Sequence, residues 1–211
     1  MNIISHRGYW LSEFEKNSVI SFERSFSHNF GIETDVRDFN GNLVISHDPA
    51  TSANAPLEIL FELYRQFPRQ PKLALNIKSD GLQAKLKQHL DTFQIENYFV
   101  FDMSVPDSLS YLKHDMLVYT RQSEYETVPS YYPRAKGVLL DEFESHWLND
   151  QIIEEHILAG KSLCIISPEL HGRTYHNEWE HYRHIEKKIG LNDSISLCTD
   201  FPELARDFFS A

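Results

Sequence analysis

The sequence predicts an α/β fold and, within that class, a TIM (β/α)8 barrel. Short apolar runs alternate with helix-like segments along the 211 residues, and this alternation is typical of a parallel sheet covered by helices. Eight repeats of the pattern favour a closed barrel over an open sheet. No linker, low-complexity segment or sequence repeat interrupts them, so we expect one compact domain over residues 1–211. The loops must be short, because this fold commonly needs about 250 residues.

The apolar runs and the amphipathic stretches give the elements in order. Strands are predicted at 3–4, 31–36, 73–77, 98–101, 116–119, 137–140, 162–166 and 194–197. A further short strand at 43–45 follows Asn40-Gly41, a tight-turn signal. Helices are predicted at 17–28, 56–67, 81–93, 104–113, 147–158, 175–189 and 202–209, with a poorly defined one near 123–128. We expect Asn17 to cap the first helix and Gly190 to end the helix over 175–189.

Composition excludes some classes of function. The formal net charge is −11 and the lysines and arginines form no block, which argues against a nucleic-acid partner because phosphate-backbone binding relies on basic patches. No run approaches the roughly 18 apolar residues of a membrane span. Residues 1–5 lead directly into the first apolar segment without the apolar region of a signal peptide, so we expect a cytoplasmic location. No feature indicates the oligomeric state.

Polar and charged side chains follow the predicted strands, at the end that forms the catalytic face of a barrel. The main ones are His6, Arg7, His47 and Lys78, and two further carboxylates, Glu33 and Asp35, lie within the strand over 31–36. Glu33 and Asp35 lie two positions apart on one strand, so both point to the same face. Two carboxylates facing an apolar interior need a compensating cation or proton. The alternative interpretation is a salt-bridged pair with Arg7 or Lys78.

This set of residue types suits metal-assisted chemistry on a phosphate ester. The carboxylates can hold a divalent cation and the arginine can hold an anionic oxygen. The two histidines titrate near neutral pH, so one can accept a proton while the other donates one.

Four motifs near the N-terminus carry a resemblance to a known family. They are His6-Arg7-Gly8, Asn17-Ser18 before a helix, Gly31-x-Glu33-x-Asp35-Val36, and Asn40-Gly41-x-x-Val44-x-x-His47-Asp48. The pattern continues at Leu75-Asn76-Ile77-Lys78 and at Thr199-Asp200-Phe201-Pro202. In spacing and order this resembles the glycerophosphodiester phosphodiesterase family.

The resemblance implies a TIM barrel that cleaves a small-molecule phosphodiester with one bound divalent cation, Mg²⁺ or Ca²⁺. By position, His6 and His47 resemble the general acid/base pair, although the sequence does not show which is the acid. Glu33 and Asp35 resemble the metal ligands. Arg7 and Lys78 resemble the groups that bind the substrate phosphate.

The metal ligands show the main departure from the family. Asn76 stands where the family usually has a glutamate as third ligand, and an amide oxygen can coordinate Mg²⁺ or Ca²⁺ but carries no charge. Glu169 is our candidate for supplying the missing carboxylate, the alternative being a salt bridge with Arg173. Asp141 and Glu142 are weaker candidates.

Two further departures concern the mouth of the predicted barrel. Lys16 stands where the family usually has a glutamate, and we expect it to be a solvated residue at a helix start. The small subdomain that the family inserts before the third barrel strand is missing, since 49–72 holds one helix and little else. A more open mouth could admit a bulky substrate, or specificity could depend on the loop 168–176.

Three functions are compatible with these residues. The first is metal-dependent hydrolysis of a glycerophosphodiester or a similar diester. The second is a lyase that uses an internal hydroxyl and forms a cyclic phosphate. The third is a degenerate barrel that binds a phosphorylated ligand without turnover, which Asn76 keeps open.

Overall fold

The computed structural model describes residues 1–190 and 194–210. The chain forms two compact units, Ser5–Val118 and Met1–Ile4 with Tyr119–Ala211, here called the N-terminal and C-terminal units. Strand β1 (Asn2–His6) contributes residues to both units.

The N-terminal unit combines a parallel sheet with four α-helices. Its other strands are β2 (Gly31–Phe39), β3 (Asn42–Ile45), β4 (Leu73–Ile77) and β5 (Tyr98–Phe101), and its helices are α1 (Val19–Ser27), α2 (Leu57–Tyr64), α3 (Gln83–Thr92) and α4 (Val105–Lys113). The strand order is β5-β4-β2-β1, with β2, β4 and β5 parallel. The predicted hairpin is confirmed: β3 pairs antiparallel with β2 through Asn40 and Gly41, both at positive φ.

Buried strands and aromatic contacts form the core of this unit. All five residues of β4 are buried, as expected for a parallel strand covered on both faces. Phe26 of α1 packs edge-on against Tyr64 of α2, with ring centroids 5.4 Å apart. Only α2 lies between β3 and β4, which confirms the predicted lack of a subdomain there.

The C-terminal unit repeats the same arrangement. Its strands are β6 (Tyr119–Ser123), β7 (Gly137–Asp141), β8 (Ser162–Ile166) and β9 (Ile195–Thr199), and its helices are α5 (Asp150–Leu158), α6 (His176–Ile189) and α7 (Pro202–Ser210). The strands are parallel in the order β6-β7-β8-β9, with β1 beside β9. The Asn149 side chain caps α5 by accepting from the Ile152 N–H. Gly190 ends α6 at φ 68°, as predicted.

The sequence prediction is wrong between residues 116 and 128. The strand expected at 116–119 is β6, which begins at Tyr119 and runs to Ser123 in register with Gly137–Asp141. No helix forms over 123–128, where the Ser123 hydroxyl accepts from the N–H groups of Tyr125 and Glu126 and so stabilises a turn. The reason is a distant partner: the Glu124 carboxylate accepts from backbone N–H groups in 143–145.

The helices are short, and α6 has 14 residues. Among the described residues, no helix combines the length and the apolar character that a bilayer crossing requires.

Candidate active site

The turn after β1 places His6 and Arg7. Arg7 and Gly8 both have positive φ, at 56° and 82°. A Cβ on Gly8 would lie 2.4 Å from the Ser21 hydroxyl of α1, so only glycine fits against this helix. The Arg7 carbonyl accepts from the Asn17 N–H at 2.9 Å, which joins the turn to the start of α1.

Asp35 is the centre of the polar contacts in the N-terminal unit. It is buried, and its Oδ2 lies 3.3 Å from the Arg7 Nε. Its Oδ1 lies 3.3 Å from the Lys78 Nζ. Asp35 therefore forms the salt bridges that we gave as the alternative to a metal site. It forms them with both Arg7 and Lys78. The two predicted phosphate-binding residues are brought together by this one carboxylate.

Asn17 has a role that the sequence did not reveal. The predicted cap is wrong, because Ser18 caps α1 in a capping box with Ser21. The Asn17 side chain instead donates to Asp35 Oδ2 and accepts from the Thr34 hydroxyl, each at 2.8 Å. Asn17 has a positive φ of 56°, a conformation that asparagine tolerates well.

Glu33 is buried beside His6 and the Arg7 backbone. Its Oε2 accepts from the Arg7 N–H at 3.2 Å and lies 3.9 Å from the His6 Nε2. Burial, and next the charge of Asp35, raise the pKa of Glu33 to about 7. A carboxyl group in this environment gains from a nearby cation, because a cation favours its charged form.

Strand β4 places Asn76 and Lys78 beside Asp35. The register pairs Asp35 with Asn76, and the Lys78 N–H donates to the Val36 carbonyl at 3.0 Å. Asn76 is 8% exposed, and its Oδ1 has no hydrogen-bond partner among the described residues. A buried amide oxygen in this state is costly unless a ligand contacts it.

His47 follows β3 at an accessible position. The Ser46 N–H donates to the Asp35 carbonyl at 3.0 Å, which ties this loop to β2. His47 is 47% exposed, and its Nδ1 lies 2.9 Å from Asp48 Oδ1. A pocket of about 680 Å³ is lined by Arg7, Asn17 and His47 among others. The imidazole can thus meet a molecule that also contacts Arg7.

The oxygen donors of this region fit a hard divalent cation. Glu33 and Asp35 share one face of β2, and Asn76 lies next to Asp35 with an unsatisfied oxygen. Carboxylate and amide oxygens are the ligands that Mg²⁺ and Ca²⁺ take in proteins. Within residues 1–190 and 194–210, no three His, Cys, Asp or Glu side chains are grouped so as to hold a metal.

The proposed substitute carboxylates lie in the C-terminal unit with partners of their own. Glu169 is mostly buried and accepts from the hydroxyls of Ser167 and Thr199 and from the Asp200 N–H. Burial raises its pKa. The alternative for Glu169, a salt bridge with Arg173, does not form, because the Arg173 guanidinium pairs with Glu178 at 2.9 Å.

Asp141 and Glu142 also have partners within the C-terminal unit. Asp141 lies 2.6 Å from the His171 Nε2 and 3.3 Å from the Arg121 Nη1. Glu142 is buried and accepts from the N–H groups of Trp147 and Leu148. Both carboxylates therefore have polar partners in the unit to which they belong.

Lys16 differs from its expected solvated state. Its Nζ lies 2.7 Å from Glu13 Oε2 and 4.3 Å from the centroid of the Trp10 ring. Its side chain therefore contacts two other residues of the loop between β1 and α1.

Comparison with known proteins identifies the fold. No protein-family model and no curated protein matches the sequence. Among solved structures, a candidate glycerophosphodiester phosphodiesterase from Galdieria sulphuraria matches with a TM-score of 0.77 and 18% identity, over 100% of this chain and 98% of that one. The glycerophosphodiester phosphodiesterase from Agrobacterium tumefaciens matches with a TM-score of 0.66 and 15% identity, over 100% of both chains.

A third match extends the comparison to a phospholipase. It is a Ca²⁺-dependent phosphatidylinositol-specific phospholipase C from Streptomyces antibioticus, with a TM-score of 0.57 and 9% identity over 99% of this chain and 95% of that one. These likenesses agree with the strand and helix order of the two units. The protein therefore has the TIM-barrel fold of the glycerophosphodiester phosphodiesterases.

Proposed function

We propose that the protein is a phosphoric diester hydrolase that cleaves a small-molecule phosphodiester such as a glycerophosphodiester. The observation that carries the proposal is the contact set around Asp35, which groups Arg7, Lys78 and Asn17 after β1 and β4. His47 lines the pocket that Arg7 lines. The likeness to glycerophosphodiester phosphodiesterases supports it. Because such diesters remain after phospholipids lose their acyl chains, a role in lipid metabolism is part of the proposal. The cytoplasmic location that the sequence led us to expect is also part of it.

Each side chain has a role in the proposed reaction. Arg7 and Lys78 bind the anionic phosphate oxygens, and Asp35 with Asn17 orients them. One histidine of the His6–His47 pair removes a proton from water as the water oxygen bonds to phosphorus. The other protonates the alkoxide as the ester P–O bond breaks, so that an alcohol and a phosphomonoester leave.

Glu33, Asp35 and Asn76 are the residues that would hold a divalent cation. When bound, Mg²⁺ or Ca²⁺ would supply charge stabilisation to the phosphoryl group. Glu33 would then remain ionised near neutral pH, although burial raises its pKa to about 7.

The test is a panel of diesters assayed with added Mg²⁺ or Ca²⁺ and with a chelator. We expect chelator-sensitive cleavage by the wild type and a loss of at least about a hundredfold in kcat for His6→Ala and for His47→Ala. His114→Ala, at an exposed position after α4, is the control and should retain full activity. Full activity in either site variant would contradict the proposed roles.

Phosphorus NMR of the products separates the hydrolase from the lyase. A phosphomonoester as the first product supports hydrolysis, whereas accumulation of a cyclic phosphate indicates attack by an internal hydroxyl. If no diester is cleaved but phosphomonoesters bind, the protein is a barrel that binds a phosphorylated ligand without turnover. This is the third function that Asn76 allows.

A further inference from the structure

Two histidines of the C-terminal unit, which the proposed reaction does not use, face each other through their ring nitrogens. His146 lies in the loop after β7, and His181 lies on α6, 35 positions later in the chain. The His146 Nε2 is 2.9 Å from the His181 Nδ1, and the ring centroids are 5.1 Å apart. A neutral imidazole has one N–H and one lone pair, so the tautomer of each ring decides what can lie between them.

The opposite nitrogen of each ring lies against a carboxylate. The His146 Nδ1 is 2.8 Å from Glu142 Oε1, and the His181 Nε2 is 3.0 Å from Asp150 Oδ1. Because an ionised carboxylate can only accept a hydrogen bond, the ring nitrogen beside it carries the hydrogen. The two nitrogens that face each other, Nε2 of His146 and Nδ1 of His181, are therefore the ones with the lone pairs.

The other partners of the two carboxylates support these tautomers. Glu142 is fully buried and accepts from the N–H groups of Trp147 and Leu148. Asp150 accepts from the Lys188 Nζ at 2.9 Å. Each of these partners is a donor, as an ionised carboxylate requires. Glu142 and Asp150 therefore act as acceptors toward the two imidazoles as well.

Two facing lone pairs repel each other unless a positive ion lies between them, either a proton or a metal ion. A histidine that binds a metal ordinarily donates its other ring N–H to a carboxylate or a carbonyl, which fixes the ring and makes the ligating nitrogen more basic. Both His146 and His181 have this arrangement. Imidazole nitrogen suits Zn²⁺, Cu²⁺ and Ni²⁺, whereas Mg²⁺ and Ca²⁺ take oxygen ligands.

The separation and the exposure of the two rings also suit a metal ion. Bonds of about 2.0–2.1 Å from one ion to both nitrogens would hold the nitrogens about 2.8–3.4 Å apart, depending on the angle at the ion. The His146 side chain is 34% exposed and the His181 side chain is 27% exposed. A small rotation of each ring can therefore direct both lone pairs to one ion, with water at the coordination positions that the protein leaves open.

We propose that His146 and His181 form a binding site for a divalent transition-metal ion such as Zn²⁺. Glu142 and Asp150 orient the two imidazoles, and the bound ion joins the loop after β7 to α6. The site differs in ligand chemistry from the oxygen donors of the N-terminal unit. It does not depend on the cleavage of any diester.

Isothermal titration calorimetry of the protein without an affinity tag tests the site, with Zn²⁺ as the probe and excess Mg²⁺ present to occupy oxygen donors. We expect the wild type to bind a zinc ion that Mg²⁺ does not displace, and His146→Ala and His181→Ala to lose this binding. His184→Ala is the matched control, because His184 is exposed and lies three positions after His181 on α6. It should keep the stoichiometry and the affinity of the wild type.

Asp150→Asn tests the site with both imidazoles in place. An amide accepts a hydrogen bond less strongly than a carboxylate does, so zinc affinity should fall about 10–100-fold, as it does when a carboxylate that orients a metal-bound histidine is lost. This variant carries the test if circular dichroism shows that the alanine variants are unfolded. Unchanged zinc affinity in Asp150→Asn would overturn the proposal.

Electron paramagnetic resonance of the Cu²⁺-loaded protein counts the nitrogen ligands. The wild type should show hyperfine coupling to two imidazoles, and His146→Ala should lack this signal. Coupling to a single imidazole in the wild type would overturn the proposal. Equal zinc binding by His146→Ala and the wild type, an equal loss in His184→Ala, or displacement of the zinc by Mg²⁺ would also overturn it. All these measurements are made without turnover, so they stand or fall separately from the proposed function.

Discussion

Asn76 is the residue at which this site departs most from the family that it resembles. Its amide oxygen is buried beside Asp35 without a hydrogen-bond partner among the described residues. A carboxylate at this position would add a charge to a cluster that already holds Glu33 and Asp35. The neutral amide of Asn76 therefore makes the cluster more stable when no cation is bound, and it lowers the affinity of the cluster for a cation.

Replacing Asn76 by aspartate tests whether the amide at position 76 lowers the affinity for a cation. In chelator, Asn76→Asp should melt below the wild type because a third carboxylate repels Glu33 and Asp35. With Ca²⁺ or Mg²⁺ added, its Tm should rise by at least about 3 °C more than that of the wild type, since tighter binding stabilises the folded state. Thermal denaturation with and without the metal measures both effects.

Asn29→Asp is the matched control for that experiment. Asn29 is exposed and, like Asn17, has a positive φ that aspartate also tolerates. Its response to metal should equal that of the wild type. An equal response from Asn76→Asp would mean that position 76 takes no part in cation binding.

The packing of the turn after β1 against helix α1 sets the position of Arg7. Gly8 is close to Ser21 and Phe22 of this helix. Gly41, in the β2–β3 turn, has a similar φ of 77° but open space where a Cβ would lie. A comparison of substitutions at Gly8 and Gly41 therefore distinguishes the effect of steric contact from that of backbone strain.

We expect Gly8→Ala to be more destabilising than Gly41→Ala. Both changes strain a positive φ, at about 1 kcal/mol each, and Gly8→Ala adds an overpacking cost of about 1–3 kcal/mol. Because the helix or the turn must move, Gly8→Ala should also lower kcat/KM, while Gly41→Ala should not. Urea denaturation and the diester assay measure the two effects. Equal losses of stability would contradict this packing.

In α5, His156 connects the helix to its surroundings in the C-terminal unit. Its Nδ1 lies 2.9 Å from the Tyr132 hydroxyl, and its Nε2 lies 2.7 Å from the Gln122 Oε1. Burial lowers the pKa of His156 below its usual 6.5. The folded protein thus keeps this histidine neutral at a pH where the unfolded chain already binds a proton.

This difference predicts a pH dependence of stability. The contribution of His156 is complete above about pH 6.5 and is lost as the pH falls toward the lower folded pKa, because the unfolded state binds more protons there. The difference in unfolding free energy between the wild type and His156→Gln should therefore narrow from pH 7 to pH 5. Parallel pH profiles for the two proteins would show that His156 titrates as it does in the unfolded chain.

For the whole molecule, we maintain the prediction that residues 1–211 unfold as one domain. Strand β1 supplies residues to both compact units, so neither unit retains all its strands if the other unfolds. Trp10 belongs to the N-terminal unit, whereas Trp147 and Trp179 belong to the C-terminal one. Variants that keep only Trp10, or only the other two, should give coincident unfolding curves. Two separate midpoints would establish two domains.

The element order was predictable because its signals are local. Apolar runs, turn pairs such as Asn40-Gly41 and helix stops such as Gly190 act within a few residues, and the structure confirms them. The segment 123–128 was not predictable, because Glu124 finds its partners about twenty positions away. The same holds for Asn17, whose partners Thr34 and Asp35 lie on another element.

Local sequence patterns were enough to predict the alternation of strands and helices and the position of polar side chains at the strand ends. The two-residue spacing of Glu33 and Asp35 already placed both on one face. The contacts of Asp35 with both Arg7 and Lys78, and the position of Asn76 beside it, became known from the folded chain. The physical reason is that side-chain direction follows from local backbone geometry, whereas neighbours across a sheet depend on which strands pair and in what register.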